Sequence, residues 1–286
     1  MRAVAILCFF LSGASGLIFE VIWTRMFSLV FGATTLAIST VLTAFMGGLA
    51  LGSYLSGRYS DRLTDPLKAY ALCEAGIGVT ALALPLVVGH FGALNSWLYA
   101  SFSDSYGLFA GARFIISASV LVVPTTLMGA TLPLLSRYFV QSETEHARVG
   151  TRVGMLYAIN TLGAVAGTAL GGFVLLPNLG LSLTNTLAAC TNLLLAGVVV
   201  AAFIVRRLLP ANPPMDPEVA ELLAQVSASP PVHLEVSPRA RLAALVAFAI
   251  SGAVAMIYQQ IWTRTLSINI GSSVYSFTIV LVAFLI

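Results

Sequence analysis

Long apolar runs separated by shorter polar segments make up most of the chain. Inside these runs the strict alternation of apolar and polar residues that typifies a half-buried strand is absent. A run of about 20 apolar residues is long enough to cross a bilayer as a helix. The pattern therefore predicts eight helices, over residues 3–27, 35–55, 69–88, 113–135, 155–175, 183–205, 242–263 and 273–286.

Two polar stretches are longer than a simple turn. Residues 89–110, which include Asn95 and Asp104 but no lysine or arginine, are predicted to be a loop. Residues 206–240 are rich in proline and are predicted to be a cytoplasmic linker. We expect a first six-helix transmembrane bundle over residues 1–205 and the first two helices of a second, truncated bundle over residues 241–286. The eighth run is too short to cross a bilayer, so the sequence is expected to be a piece of a longer chain.

Part of the first helix recurs 239 residues later in the chain. Ile22-Trp23-Thr24-Arg25 returns as Ile261-Trp262-Thr263-Arg264. At the same offset Ser12-Gly13-Ala14 matches Ser251-Gly252-Ala253, so we expect the first helix to be a membrane span and not a cleaved signal peptide. Matches kept in one register over a helix pair indicate a duplicated structural unit.

Composition identifies the solvent of this fold as a lipid bilayer. The 286 residues are 58% hydrophobic and 9% charged, whereas soluble domains carry about 25% charged residues. Runs of this length favour helices over a closed barrel. The net charge of +3 gives no case for nucleic acid, and the three cysteines, at unrelated spacings, form no metal or disulfide motif. No nucleophile and base pair, phosphate loop or metal spacing is present, so neither a catalytic residue nor a cofactor is predicted.

The basic residues predict a topology with the N-terminus in the cytoplasm. With that orientation 11 of the 14 basic residues fall on the cytoplasmic side, as the positive-inside rule requires. They are Arg2, Arg58, Arg62, Lys68, Arg137, Arg148, Arg152, Arg206, Arg207, Arg239 and Arg241. The exceptions are Arg25, Arg113 and Arg264, and two of these are repeat partners.

Ionisable residues inside the apolar runs are the candidate functional groups. Glu20 lies five residues before Arg25, and its repeat partner is Gln259. A carboxylate in lipid is costly and usually has a partner, for which Arg25 and Arg113 are the candidates. Two alternatives stay open: a structural ion pair between helices, and arginines that anchor at the headgroups beside an interfacial tryptophan. Glu74 is expected only to pair with Arg58 or Lys68.

Small and polar residues predict where helices touch. Gly48-x-x-x-Gly52 on the second helix and Gly163-x-x-x-Gly167-x-x-x-Gly171 on the fifth place small residues on one face, which lets two backbones approach closely. Asn160 and Asn192 are predicted to form interhelical hydrogen bonds. Pro124 and Pro133 in the fourth helix predict a kink whose freed carbonyls accept from Thr125, Thr126 or Thr131.

The turn after the second helix carries a family motif. Gly57-x-x-x-Asp61-Arg62 resembles the loop motif of major facilitator superfamily (MFS) transporters between their second and third helices. The match is partial, because the Gly-Arg-Arg continuation of the family motif is replaced here by Thr64-Asp65-Pro66-Leu67-Lys68.

Three further motifs together resemble the membrane region of fused MFS/spermidine synthase-like proteins. They are Glu20-x-x-Trp23-x-Arg25, Pro124-Thr-Thr-Leu-Met-Gly-Ala-Thr-Leu-Pro133 and Asn160-Thr-Leu-Gly163. The resemblance implies an all-α, multi-pass protein of a bacterial-type inner or plasma membrane, built from MFS-like tandem helical bundles. It also implies an aminopropyltransferase-like domain beyond Ile286, so any enzymatic activity belongs to the parent protein. The chain is then a transporter-like unit that moves or delivers a small polar metabolite, a non-transporting scaffold for the enzyme, or part of a plain MFS transporter.

The same resemblance implies a binding site. In MFS-like bundles helices one, four and seven line the central cavity, which places five candidate substrate-binding residues near one another: Glu20, Arg25, Arg113, Gln259 and Arg264. Three guanidinium groups against one carboxylate favour an anionic or zwitterionic small ligand over a polyamine, because guanidinium forks match carboxylate and phosphate geometry.

Overall fold

The structure, a computed structural model, describes residues 2–31, 35–102, 105–141, 149–208, 237–271 and 273–286. Throughout these residues the regular structure is helical. The α-helices are α1 (Arg2–Phe31), α2 (Thr35–Tyr59), α3 (Pro66–Gly89), α4 (Phe91–Phe102), α5 (Tyr106–Gln141), α6 (Val149–Leu170), α7 (Leu176–Leu208), α8 (Pro238–Ile270) and α9 (Ser273–Leu285). A 3₁₀ turn over Ser60–Arg62 follows α2, and a π-helical turn over Gly171–Leu175 joins α6 to α7. The predicted all-α fold is confirmed for this part of the chain. Most of the predicted linker, residues 209–236, lies outside the described residues.

Within the described ranges, six helical segments are long and apolar enough to cross a membrane. They are Val4–Phe31, Ile38–Tyr59, Pro66–Gly89, Gly107–Phe139, Val153–Val205 and Pro238–Ile270. The fifth segment contains both α6 and α7, and Gly180 interrupts its helical geometry with a φ of 72°. A positive φ of this kind is accessible to glycine at little cost. The break at Gly180 falls between the fifth and sixth helices that the sequence predicted, over residues 155–175 and 183–205.

Contact pairs define the directions of the helices. Gly163 and Gly167 of α6 and Gly171 of the π-helical turn lie against Phe10, Ala14 and Ile18 of α1, so α6 and α1 run parallel. A β-carbon on Gly163 or Gly167 would overlap the facing backbone, which confirms that this glycine stripe is a contact surface. Helix α7 runs antiparallel to α3, because Asn185 meets Ala81 whereas Asn192 meets Glu74. It also runs antiparallel to α1, because Asn185 meets Trp23 whereas the Glu74 carboxyl group beside Asn192 lies next to Ser12. Helix α1 is thus packed centrally among α2, α6 and α7.

The second predicted contact stripe lies between α2 and α5. A β-carbon on Gly48 or Gly52 would overlap Thr125 or Thr126. Two α2 serines donate to α5 backbone carbonyls: Ser53 Oγ to Gly129 O at 2.9 Å and Ser56 Oγ to Ala130 O at 3.2 Å. The glycine spacing on the second helix therefore predicted its contact surface, and the facing helix is α5.

The Ser53 hydroxyl also supplies a donor to a carbonyl oxygen that a proline leaves without one. Pro133 has no N–H, so the carbonyl of Gly129, four residues earlier, lacks its usual helical donor. Ser53 of α2 supplies one. The sequence assigned this role to threonines beside the prolines, but Thr125 and Thr131 instead donate to Leu121 O and Met128 O of their own helix.

Helix α4 corrects the prediction of a loop over residues 89–110. Its Phe91 and Leu98 are buried, and Phe91 packs against Phe27 and Phe31 of α1 with ring centroids 5.8 and 5.9 Å apart. The polar residues of this stretch, including Asn95, suggested a loop. The aromatic contacts that bury one side of the helix come from a distant part of the chain, which local composition does not reveal.

Helices α8 and α9 differ in how they join the other helices. Phe277 and Leu281 of α9 pack with Val21 of α1 and Leu42 of α2. A β-carbon on Gly172 would overlap Thr278 of α9, so α9 also lies close to the π-helical turn. Helix α8 packs mainly on α9, and its residues 238–254 are exposed.

Candidate functional site

Glu20 is a fully buried carboxyl group near the middle of the α1 packing surface. Neither of its side-chain oxygens has a hydrogen-bond partner among the described residues. Thr24 and Ser28 follow at four-residue intervals, which places the three polar groups on one side of the helix. Ser28 Oγ donates to Thr24 O at 2.7 Å, while Thr24 Oγ1 is buried with no partner in the described part of the chain. A carboxyl group and a hydroxyl one turn apart are therefore both unsatisfied.

Arg25 does not pair with Glu20. It is half-buried and lines a small cavity with Thr24, Ser28, Ile38 and Phe277, at the junction of α1, α2 and α9. The cavity volume of about 10 Å³ is close to the minimum that holds one water molecule.

Arg113 is not the partner of Glu20 either. Its Nη2 donates to the Phe31 carbonyl oxygen at 2.6 Å, and its guanidinium lies 4.3 Å from the Phe31 ring centroid and 5.1 Å from that of Phe109. The Arg113 guanidinium, which the sequence analysis proposed as a partner of Glu20, therefore contacts two aromatic rings and the carbonyl at the end of α1 instead. The expected ion pair of Glu20 with Arg25 or Arg113 is absent from the described part of the chain.

The repeat-related residues of α8 show the same polar pattern in part. Gln259 and Thr263 are buried, and Gln259 Nε2 and Thr263 Oγ1 have no partner among the described residues. Ser267 Oγ donates to Thr263 O at 2.7 Å, the same bond at the same length as in α1. Trp262 and Arg264, in contrast, are exposed. The described structure brings Gln259 and Thr263 into the interior but does not bond Glu20 to Gln259, since both side chains have unsatisfied polar atoms among the described residues.

A network that sequence reasoning did not find holds Trp23. Trp23 Nε1 donates to Asn185 Oδ1 at 3.0 Å, and Asn185 Nδ2 donates to Ala81 O at 2.8 Å. These two bonds join α1, α7 and α3 deep in the bundle. The available signal was an asparagine in a strongly apolar run, seven residues before Asn192 and so on the same side of α7.

Glu74 corrects a second prediction, since it pairs with neither Arg58 nor Lys68. It is fully buried, and its Oε2 accepts from Asn192 Nδ2 at 2.8 Å. Ser12 and Tyr70 lie next to the same carboxyl group, yet its Oε1 accepts no hydrogen bond from the residues that the structure describes. Asn192 thus forms an interhelical bond, as predicted, and so does Asn160, whose Nδ2 donates to Phe9 O at 3.1 Å.

The loop motif after α2 is only partly described. Gly57 lies in open space near the end of α2, and the Arg62 guanidinium lies 5.5 Å from the Tyr59 ring centroid. The Asp61 side chain lies outside the described residues, so the motif's own contact stays a prediction. In the part of the chain that the structure describes, no cluster of three metal-ligating side chains forms.

Three relatives illustrate what the chain is similar to. It is 30% identical over 206 residues to polyamine aminopropyltransferase 1 of Streptomyces coelicolor, covering 72% of this chain and 35% of the relative. It is 27% identical over 200 residues to polyamine aminopropyltransferase of Mycobacterium tuberculosis, covering 69% and 35%. It is 28% identical over 196 residues to polyamine aminopropyltransferase 2 of Ralstonia nicotianae, covering 68% and 34%.

These homologues support the spermidine synthase-like relationship that the motifs implied. The chain spans about a third of the length of the curated relatives it matches. No family model matches the chain, and no solved structure matches it.

Proposed function

We propose that this chain is the transporter-like membrane region of a spermidine synthase-like, polyamine aminopropyltransferase-like protein. In this proposal MFS-like tandem bundles lie in a bacterial-type inner membrane and move or deliver a small polar metabolite. The observation that carries the proposal is the Glu20 carboxyl group, which is fully buried and has no partner in the described structure. Ionisable groups in membrane helices are costly, and they commonly mark substrate or ion pathways.

The second copy of the repeat supports the same conclusion. Gln259, at the position equivalent to Glu20, is also buried, and its side-chain nitrogen has no partner among the residues described. Thr24 and Thr263 repeat this condition one turn further along. Buried polar groups are normally hydrogen-bonded, so groups left open in both copies fit a ligand or water bound between the bundles.

The ligand we propose is a small zwitterion or anion. Glu20 would hold an amine, and Arg25, five residues further along α1, would hold a carboxylate or phosphate with its guanidinium fork. Arg113, Gln259 and Arg264 complete the proposed set. A polycation would have only one carboxylate among these groups to bind it.

Ligand binding to the purified full-length protein tests this proposal. We expect Arg25→Gln to weaken binding of an anionic or zwitterionic probe about 10-fold or more, since a hydrogen bond to a charged group contributes about 1.5–3 kcal/mol. Arg241→Gln, at an exposed position on α8, is the matched control and should bind normally. Tight spermidine binding that survives Arg25→Gln and Arg264→Gln but is lost in Glu20→Gln would reverse the charge argument.

The proposed topology is tested by accessibility in intact cells. Thr64 lies in the turn before α3 and Ser101 lies on α4, and both are exposed. In a cysteine-free background, we expect Ser101→Cys to react with an impermeant thiol reagent from outside, and Thr64→Cys to react only after permeabilisation. The opposite pattern would place the N-terminus outside.

A non-transporting scaffold for an enzyme domain is the second candidate. Two observations favour it: the cavity beside Arg25 holds about 10 Å³, too little for a metabolite, and the relatives are named for a transferase activity. Uptake into proteoliposomes by the full-length protein distinguishes the candidates. A scaffold shows no uptake, and Glu20→Gln leaves its transferase activity unchanged.

A further inference from the structure

An apolar groove lies between α3 and α7, away from Glu20 and Arg25. Its volume is about 470 Å³, which is within the range of small-molecule sites, about 300–1,000 Å³. The groove exists because small residues face each other where two helices would otherwise meet side chain to side chain. These residues are Ala71 and Ala75 on α3 and Ala196 and Gly197 on α7.

The groove has one polar end. Among the described residues that line the groove, Lys68 is the single charged one. It lies in the first turn of α3, and its side chain is 53% exposed. The Lys68 Nζ lies 4.2 Å from the centroid of the Phe203 ring, which forms the opposite wall. The remaining lining is aliphatic, including Leu72 and Val200. From Lys68 to Ala75 the groove follows α3 for about 10 Å.

The charge at this end favours an anion. The N-terminus of α3 carries a partial positive charge from the helix dipole, which adds to the Lys68 ammonium. Asp65 opposes both, since its Oδ2 lies 3.5 Å from Lys68 Nζ. Its Oδ1 accepts from Lys68 N at 3.3 Å and so caps the helix.

We propose that this groove binds an anionic phospholipid, with the phosphate at Lys68 and one acyl chain along Leu72, Ala75 and Gly197. The apolar lining of the groove fits an acyl chain, and the lysine at its end fits a phosphate headgroup. The groove also opens on the outside of long apolar helices, where lipid would lie. Basic pockets between membrane helices on the cytoplasmic side are typical anionic-headgroup sites. The proposal rests on the membrane placement proposed above, and it needs neither transport nor a ligand at Glu20.

Native mass spectrometry of the purified full-length protein, exchanged between detergent micelles containing phosphatidylglycerol or phosphatidylcholine, tests the proposal. We expect the wild type to retain phosphatidylglycerol in preference. Lys68→Gln should reduce that retention about fivefold, since one lysine near an anionic headgroup strengthens binding by about that factor. Asp65→Asn should increase it, because asparagine caps a helix as well as aspartate does and carries no charge. Arg241→Gln is the charge control.

Filling the groove tests the acyl-chain part. Ala75→Leu should abolish retention of both lipids, whereas Ala83→Leu, at an exposed position two turns along α3, should not. Thermal unfolding of each variant separates loss of the site from loss of the fold. Equal retention of the two lipids by the wild type would overturn the headgroup assignment. Unchanged lipid retention in Ala75→Leu would show that the groove does not bind the lipid. A dimer mass in the wild type that disappears in Ala75→Leu would show that the groove binds a second copy of the chain. Membrane extraction of the same variants reports independently on the membrane placement.

Discussion

The Trp23 indole donates a hydrogen bond to the Asn185 side chain at 3.0 Å, across the interface of α1 and α7. Its repeat counterpart, Trp262, is 54% exposed. The same residue in the same local sequence thus has two different environments. This difference arises because α1 is enclosed by other helices while α8 packs mainly on α9. The duplicated motif therefore preserves helix-internal features, such as the serine to threonine bond, more faithfully than its long-range contacts.

We predict that Trp23→Phe destabilises the purified protein by about 1–2 kcal/mol, because it leaves Asn185 Oδ1 buried without its donor. The midpoint of thermal unfolding in detergent measures the effect. Trp262→Phe is the matched control and should stay within about 0.5 kcal/mol of wild type. Equal losses in the two variants would show that the Asn185 bond contributes nothing measurable.

A second prediction concerns the pair of Glu74 and Asn192. Asn192→Ala removes the donor to a buried carboxyl group and should cost about 1.5–3 kcal/mol. Glu74→Gln keeps an acceptor oxygen for the Asn192 amide, so its cost should be smaller. Both are measured by thermal unfolding. Asn269→Ala is the control, because the Asn269 amide is exposed and donates to Thr265 O of its own helix. A larger loss in Glu74→Gln than in Asn192→Ala would contradict the expected order.

The helices themselves were largely predictable from sequence. Each of the eight predicted apolar runs corresponds to a helix, and the observed ends extend beyond most predicted ends by a few residues. Periodic small residues on the fifth run also identified a close contact, because a glycine stripe constrains packing whatever the partner. Helix α4 was missed, since its burial depends on Phe27 and Phe31, about 60 residues earlier in the chain.

The candidate site was less predictable, because each ionisable side chain has several possible bonding partners and the sequence does not show which one it contacts. Glu20 is buried, as its apolar flanks suggested. The sequence analysis named Arg113 as a possible partner of Glu20, but the Arg113 guanidinium contacts the Phe31 ring and the Phe31 carbonyl oxygen instead. Likewise Glu74 is bound by Asn192, which lies 118 residues away. Charge type and spacing identify residues that could form an ion pair. They do not show whether an ion pair is more stable than contact with an aromatic ring or a backbone carbonyl.

The glycine contacts of α6 yield a third prediction with an internal control. Replacing glycine by alanine in a helix normally stabilises it by about 0.5–1 kcal/mol. We expect that gain, or no change, for Gly154→Ala, because a β-carbon there meets nothing within 4 Å. Gly167→Ala should instead cost about 1–3 kcal/mol, since its β-carbon would overlap the Ala14 backbone and force α6 away from α1. Thermal unfolding of both variants decides. Stabilisation by Gly167→Ala would mean that the two backbones are not in close contact.

The last prediction concerns the carbonyl that Pro133 leaves without a donor. Gly129 O has no backbone N–H four residues later, and Ser53 Oγ donates to it at 2.9 Å from α2. Ser53→Ala should therefore destabilise the protein by about 0.5–1.5 kcal/mol. In a Pro133→Ala background residue 133 regains its N–H and can serve Gly129 O, so the same Ser53→Ala change should then cost less. The double-mutant cycle measures this coupling directly. Ser56 donates to Ala130 O, whose helical donor is not a proline, so Ser56→Ala should cost the same with or without Pro133. If Ser53 and Ser56 respond alike to removal of the proline, the serine of α2 is not replacing the missing donor, and the close contact between α2 and α5 alone maintains the helix at that point.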